Sequence, residues 1–332
     1  MRAVALSPAG VLETVDKPEP EPGPDEVVVD VERCGICGSD LHFRFSGLLP
    51  AGAVMGHEFA GTVVAAGDDA GIATGTRVAV LPSRRDGTCE QCRQGKTHLC
   101  RAQATTSIGL GLVDGGYAEY ATAPAQSCHP LPPGMTAEQG ATVEPYAVAL
   151  HAVRRSRAAN NPSLNVGVIG AGPIGLLTIA ALQHEGATSI TVAERSETRA
   201  EAAGALGARV TDDADRLAAA AGEELDVVFD CAGVPATTPA ALLNAKPGGQ
   251  IVLVGVVDVG VPIPMPGLLW VVKEVDVLPS IAYTDEEFAE AVGHISTSGI
   301  AIPTEVRPLD AAEQSFHDLR QPGGPIKVQL AP

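Results

Sequence analysis

The feature that most constrains this chain is the glycine turn Gly170-Ala171-Gly172-Pro173-Ile174-Gly175, set directly after the apolar run Asn165–Ile169 and opening a long apolar helix pattern. In that setting the first glycine permits a tight turn, the second lets backbone approach a pyrophosphate, and the third allows close packing of helix on strand. The phosphate charge then meets the helix N-terminus. Glu194 stands nineteen residues past Gly175, closing the next β-rich run Ser189–Ala193, where a carboxylate can accept both hydroxyl hydrogen bonds of an adenosine ribose. Its neighbours Arg195 and Arg199 could instead pair with a 2′-phosphate. Glu194 is aimed at the ribose by the end of its strand, so NAD is the expected cofactor, with NADP possible.

The alternation of strand, glycine turn and Ala-rich helix continues through Asp226–Asp230, Gln250–Gly255 and Val275–Pro279. It predicts a doubly wound parallel sheet. Residues 1 to about 140 read differently, as short β-rich runs (Glu26–Val31, Gly61–Ala66, Arg77–Leu81) separated by Gly/Pro turns, which suits a compact β-domain. Thr136–Arg157 reads as a connecting helix. After about residue 300 the pattern Ile302–Val306, a helix from Asp310, and Ile326–Leu330 leaves the α/β rhythm and could rejoin the first domain. The expected division is 1–149 with 299–332, and 150–298 inserted between them.

Aromatic residues are only 3% of the chain while the hydrophobic set reaches 45%, so Ala, Val, Leu and Ile must build the core. A net charge of −18 opposes nucleic-acid phosphate and anionic lipid, and neither is expected as a partner. The N-terminal residues carry no charged-then-apolar leader pattern. The longest apolar stretch, Val166–Leu182, holds four glycines and a proline and is marginal for a membrane span. A cytoplasmic protein is expected.

The seven cysteines are odd in number and concentrated in the first third of a large chain, which favours metal binding over a disulfide framework. Cys89-x2-Cys92-x7-Cys100, with Asp86 three residues upstream, offers three thiolates and a carboxylate, enough to close a tetrahedral structural zinc shell. His98 is an alternative fourth ligand. Cys34-Gly35-Ile36-Cys37-Gly38-Ser39-Asp40-Leu41-His42, followed by Gly56-His57-Glu58, supplies the mixed Cys, His and carboxylate set of a catalytic zinc. A Cys34/Cys37 redox pair is the rival, but such pairs belong with a βαβ pattern that is missing here. Phe43 and Phe45, rings immediately after this motif, are candidates for a substrate wall or for core.

With these three constellations in this order, the chain resembles the zinc-dependent medium-chain alcohol dehydrogenases over nearly all its length. Gly115-Gly116-Tyr117-Ala118-Glu119-Tyr120 and Lys246-Pro247-Gly248-Gly249 also match. The resemblance implies an α/β fold: a GroES-like β-barrel catalytic domain with an inserted Rossmann cofactor domain, and an active site in the cleft between them. It implies Cys37, His57 and Glu58 as catalytic zinc positions, Ser39 and His42 as proton relay, and a structural zinc on Asp86, Cys89, Cys92 and Cys100. Asp86 stands where the family has a fourth cysteine. The segment Val143-Glu144-Pro145 looks like the polyol branch, which includes sorbitol, threonine, butanediol and glucose dehydrogenases, and there Glu144 would face zinc directly or through water.

The implied activity is hydride transfer between a secondary alcohol or polyol and NAD, with two zinc ions per chain. An NADPH-preferring carbonyl or sugar reductase, a zinc-free quinone reductase and a non-catalytic dinucleotide-binding relative are the alternatives. Assembly into a homodimer or homotetramer is expected through a sheet edge near Gln250–Val257 and the apolar segment Val261–Val272, with Trp270 in the contact.

Overall fold

The computed structural model describes every residue except 46–48, 84, 103–105, 111 and 258–259. The chain divides into two compact units, Met1–Glu144 with Tyr283–Pro332, and Pro145–Ala282. The first crossing falls inside the helix Ala137–Arg155, at Pro145. That helix starts on a capping box in which Gln139 N–H donates to Thr136 Oγ1 (3.2 Å) and Thr136 N–H to Gln139 Oε1 (2.9 Å). The return comes at Tyr283 rather than at residue 299, because the helix Asp285–Ser298 packs with the first unit. Its Phe288 ring lies 4.8 Å from His129.

The first unit contains β1 (Arg2–Leu6), β2 (Leu12–Asp16), β3 (Glu26–Gly35), β4 (Glu58–Ala66), β5 (Arg77–Val80), β6 (Tyr120–Pro124) and β7 (Cys128–Pro130). β3 and β4 pair antiparallel, and β6 lies on the other side of β3. Val27, Val29, Val31, Phe59, Val63, Val78 and Val80 bury the shared face.

The second unit contains β8 (Asn165–Ile169), β9 (Ser189–Ala193), β10 (Arg209–Thr211), β11 (Leu225–Asp230), β12 (Ala245–Leu253) and β13 (Asp276–Pro279). All are parallel, in the order β10-β9-β8-β11-β12-β13. The order reverses between β8 and β11, and the glycine turn leaves β8 at that switch point, where open α/β sheets bind their ligands. Such strands are covered on both faces, hence their unbroken apolar runs. β12 has neighbours on both sides, so the edges of the sheet are β10 and β13, and Gln250–Leu253 is not one of them. Trp270 is half-buried: it packs against the unit's own core and donates Nε1–H to the Val275 carbonyl at 2.7 Å.

β14 (Thr304–Pro308) and β15 (Lys327–Ala331) complete the first unit, with Leu330 opposite Cys34 and Gln329 opposite Gly35 on β3. Among the described residues, no helix is long and apolar enough to cross a membrane.

Candidate active site

In the β3/β4 ladder Gly35 lies opposite Glu58. The chain reaches Cys37 two residues after leaving β3, and His57 stands one residue before Glu58, so this register carries all three side chains to one end of the strand pair. Their ligand atoms lie within 4.8 Å of one another. His57 and Glu58 are buried and Cys37 is half-buried. A Cβ on Gly35 would stand 2.0 Å from Glu58 Oε2, so any side chain there would displace the Glu58 carboxylate.

Cys37 caps the short helix Gly38–Phe43, and its N–H donates to Asp40 Oδ2 at 3.0 Å. On that helix the Ser39 hydroxyl oxygen is buried without a hydrogen-bond partner among the described residues, and His42 lies in the last turn. Glu144 is buried outside the three-residue cluster but within electrostatic reach of His57 and Glu58, and burial pushes its carboxyl up to about 7. A thiolate, an imidazole and buried carboxylates form the donor set of a zinc site with few protein ligands. Cys34 belongs to the apolar core instead, which argues against its pairing with Cys37 in redox chemistry. Phe45 is 62% exposed and covers the Arg44 guanidinium at the Gly10 turn, so it does not fit the substrate-wall reading. Phe43 is half-buried.

A second cluster gathers Asp86, Cys89, Cys92 and Cys100, again with ligand atoms within 4.8 Å. Cys89 caps the one-turn helix Glu90–Arg93, which brings Cys92 round, and Cys100 follows the 3-10 turn Thr97–Leu99. Asp86 Oδ1 accepts from the N–H groups of Thr88 (2.8 Å) and Cys89 (2.9 Å), and those backbone donors hold its carboxyl down to about 2. His98 is buried on the 3-10 turn, outside this cluster.

At the glycine turn, Gly170 adopts φ +91°, and a Cβ on Gly175 would stand 1.9 Å from the Gly170 carbonyl oxygen. The same construction at Gly172 meets nothing within 4 Å, so backbone there is open to approach. Pro173 starts the helix Pro173–His184, and Ile174 follows in its first turn. The Glu194 carboxylate accepts from the N–H groups of Ala171 (2.8 Å), Arg195 (2.8 Å) and Ser196 (2.9 Å), tying the end of β9 to the turn. Arg195 is exposed and Arg199 half-buried.

Residues 23–133 match the alcohol dehydrogenase GroES-like domain and residues 173–297 the zinc-binding dehydrogenase domain. A sorbitol dehydrogenase of Bombyx mori is 32% identical, over 94% of this chain and 93% of its own. The chain belongs to the zinc-dependent medium-chain alcohol dehydrogenase family. Among solved structures, an NADP-bound zinc-binding dehydrogenase of Sinorhizobium meliloti 1021 superposes with a TM-score of 0.91 at 32% identity, covering 100% of this chain and 99% of that one. The 2R,3R-butanediol dehydrogenase of Bacillus subtilis gives 0.87 at 32% identity, with coverage of 100% and 99%. The fold is therefore a GroES-like domain with a Rossmann-type parallel sheet, and the protein is an NAD(P)-dependent oxidoreductase.

Behind each carboxylate or imidazole of this dehydrogenase's site stands a partner that the sequence reading missed. Asp40, fully buried, places Oδ1 3.5 Å from His57 Nδ1 and accepts from the Tyr117 hydroxyl at 2.7 Å. Burial disfavours charge on His57, but Asp40 and Cys37 outweigh it and raise the imidazole well above its usual value. Lys327 on β15 is ion-paired with Glu58 and donates to the Ile36 carbonyl at 2.9 Å. Burial would discharge it, yet Glu58 and Cys37 prevail and its ammonium is held. Tyr283 donates its hydroxyl to Glu144 Oε1 at 2.8 Å. Such outer partners orient the groups that meet a metal. A lysine inside the apolar run Ile326–Leu330 was the one signal in the sequence. Tyr283 gave none.

Proposed function

We propose that this dehydrogenase transfers hydride between a polyol or other secondary alcohol and NAD, with one zinc held by Cys37, His57 and a carboxylate, and a second held by Asp86, Cys89, Cys92 and Cys100. The convergence of Cys37, His57 and Glu58 within 4.8 Å, with Glu144 buried in electrostatic reach, carries this reading. When bound, zinc supplies Lewis acidity toward the alcohol and nicotinamide accepts the hydride. The buried Ser39 hydroxyl takes the alcohol's proton and passes it to His42, directly or by way of the cofactor ribose. Gly170, Gly172 and Gly175 receive the pyrophosphate, and Glu194 the ribose hydroxyls. The exposed Arg195 beside Glu194 tolerates NADP.

A polyol substrate is favoured by the Glu144-Pro145 segment and by the sorbitol and butanediol dehydrogenases among the relatives. The chemistry divides by unit: the first carries the metal groups, the second the cofactor. Seven free thiols suit a reducing cytoplasm. Leu268, Val271 and Val272 are 81%, 75% and 70% exposed on the helix Gly267–Lys273, an apolar patch suited to a second copy of the chain. Nicotinamide absorbance followed over a panel of polyols, diols and aldoses with NAD or NADP, in both directions, tests the reading. Absence of turnover across that panel with fully zinc-loaded protein would overturn it.

A further inference from the structure

Asp285 opens the helix Asp285–Ser298, two residues past Tyr283. Its carboxylate is ion-paired with Arg85 and accepts from the Thr97 hydroxyl at 3.4 Å. Both partners belong to the thiolate lobe: Arg85 immediately precedes Asp86, and Thr97 lies between Cys92 and Cys100. Arg85 is also within electrostatic reach of Glu286 and of the Cys92 and Cys100 sulfurs.

The helix start that Asp285 anchors is built rigidly. Thr284 N–H donates to Glu287 Oε2 at 2.8 Å and Glu287 N–H to Thr284 Oγ1 at 3.3 Å, a complete capping box. The residue before the cap, Tyr283, stacks its ring 5.5 Å from Phe288, the fourth residue of the helix, which is the hydrophobic staple that fixes how a chain enters a helix. The direction of the Tyr283 phenol is set there, and that phenol holds Glu144. A continuous path within the first unit therefore runs from the cysteine lobe to Glu144, a carboxylate within electrostatic reach of His57 and Glu58.

We propose that Asp285 is a positioning residue through which the lobe holds Tyr283 and Glu144, so that emptying the lobe alters the substrate-side metal environment as well as stability. This rests on the two-zinc reading above. With its metal gone, the lobe no longer fixes Arg85 and Thr97, and Asp285 loses both anchors. The capping box and staple stay intact, so the helix remains folded while its start shifts, and the Tyr283 hydrogen bond to Glu144 weakens. The anchored Asp285 seen here and the released one that follows metal loss would be the two arrangements that energetic coupling between distant sites requires.

The test uses full-length protein carrying cobalt at the Cys37 site and zinc in the lobe, since visible cobalt bands report ligand geometry without turnover. Asp285→Asn and Cys92→Ser should each shift those bands and lower kcat by about fivefold at unchanged KM for NAD, and the double variant should do no more than the larger single. Asp285→Glu should restore the bands. Unmoved bands in Asp285→Asn, or effects that simply add in the double variant, would overturn the proposal. If Cys92→Ser fails to fold, the bands of Asp285→Asn, whose lobe stays loaded, decide alone. Failure of the metal reading looks different: Cys37→Ala would then take up cobalt with the same bands as the parent protein.

Discussion

Glu58 is held from two sides, by the β3/β4 register that sets it against Gly35 and by the buried ammonium of Lys327. Removing one member of a buried pair leaves the other charge uncompensated. Lys327→Met should therefore destabilise the metal-free protein by about 3 kcal/mol, read from urea unfolding. A midpoint unchanged from the parent would mean that Glu58 finds another partner. Cys37→Ala or His57→Ala should remove the substrate-side zinc and lower kcat by about a thousandfold or more, while NAD binding, which belongs to the other unit, persists. Zinc analysis and cofactor titration on the same samples check both halves of that expectation. Glu194→Ala should cut the NAD-to-NADP ratio of kcat/KM by about tenfold or more, the worth of hydrogen bonds to a charged group. A parent enzyme that prefers NADP contradicts the assignment before any variant is made.

Among the elements, the cysteine lobe gives the clearest measurement. Cys92→Ser should lower zinc content from two ions to one per chain and Tm by about 5 °C, a shift that ~2 kcal/mol produces in a domain of this size. One zinc in the parent protein, unaffected by the substitution, would mean that the lobe binds none.

The lobe and the glycine turn could be read from sequence because their chemistry is local: ligands or glycines lie within a few residues of each other, and spacing alone brings them together. β8 and β9 were legible for a related reason, as apolar runs bounded by turns. β3 and β4 outrun the patterns that predicted them, since Arg33, opposite Ala60, and Glu58, opposite Gly35, are held in strand by ladder pairing that no local propensity reports. β10, three residues with an exposed arginine, offered no periodicity. Lys327 and Tyr283 matter through the carboxylates of Glu58 and Glu144, 269 and 139 residues away, and Asp40 through His57 at the start of β4, and such separations are invisible until the topology is known.

At the scale of the molecule, the apolar patch on the helix Gly267–Lys273 predicts self-association. Val271→Asp should convert the assembly to monomers, as seen by light scattering at micromolar concentration, without unfolding the exposed helix. A parent protein that is already monomeric under those conditions would refute the dimer or tetramer. The two crossings at Glu144 and Tyr283 also dictate the timetable of synthesis. When the ribosome has finished the second unit, the first still lacks β14, β15 and Lys327, so the Cys34–Gly35 end of β3 waits with one edge unpaired and Glu58 with its countercharge unmade. Unpaired edges of this kind are sticky. The nascent dehydrogenase thus has its cofactor sheet complete before its metal pocket, which waits for β15 to be made and docked on β3.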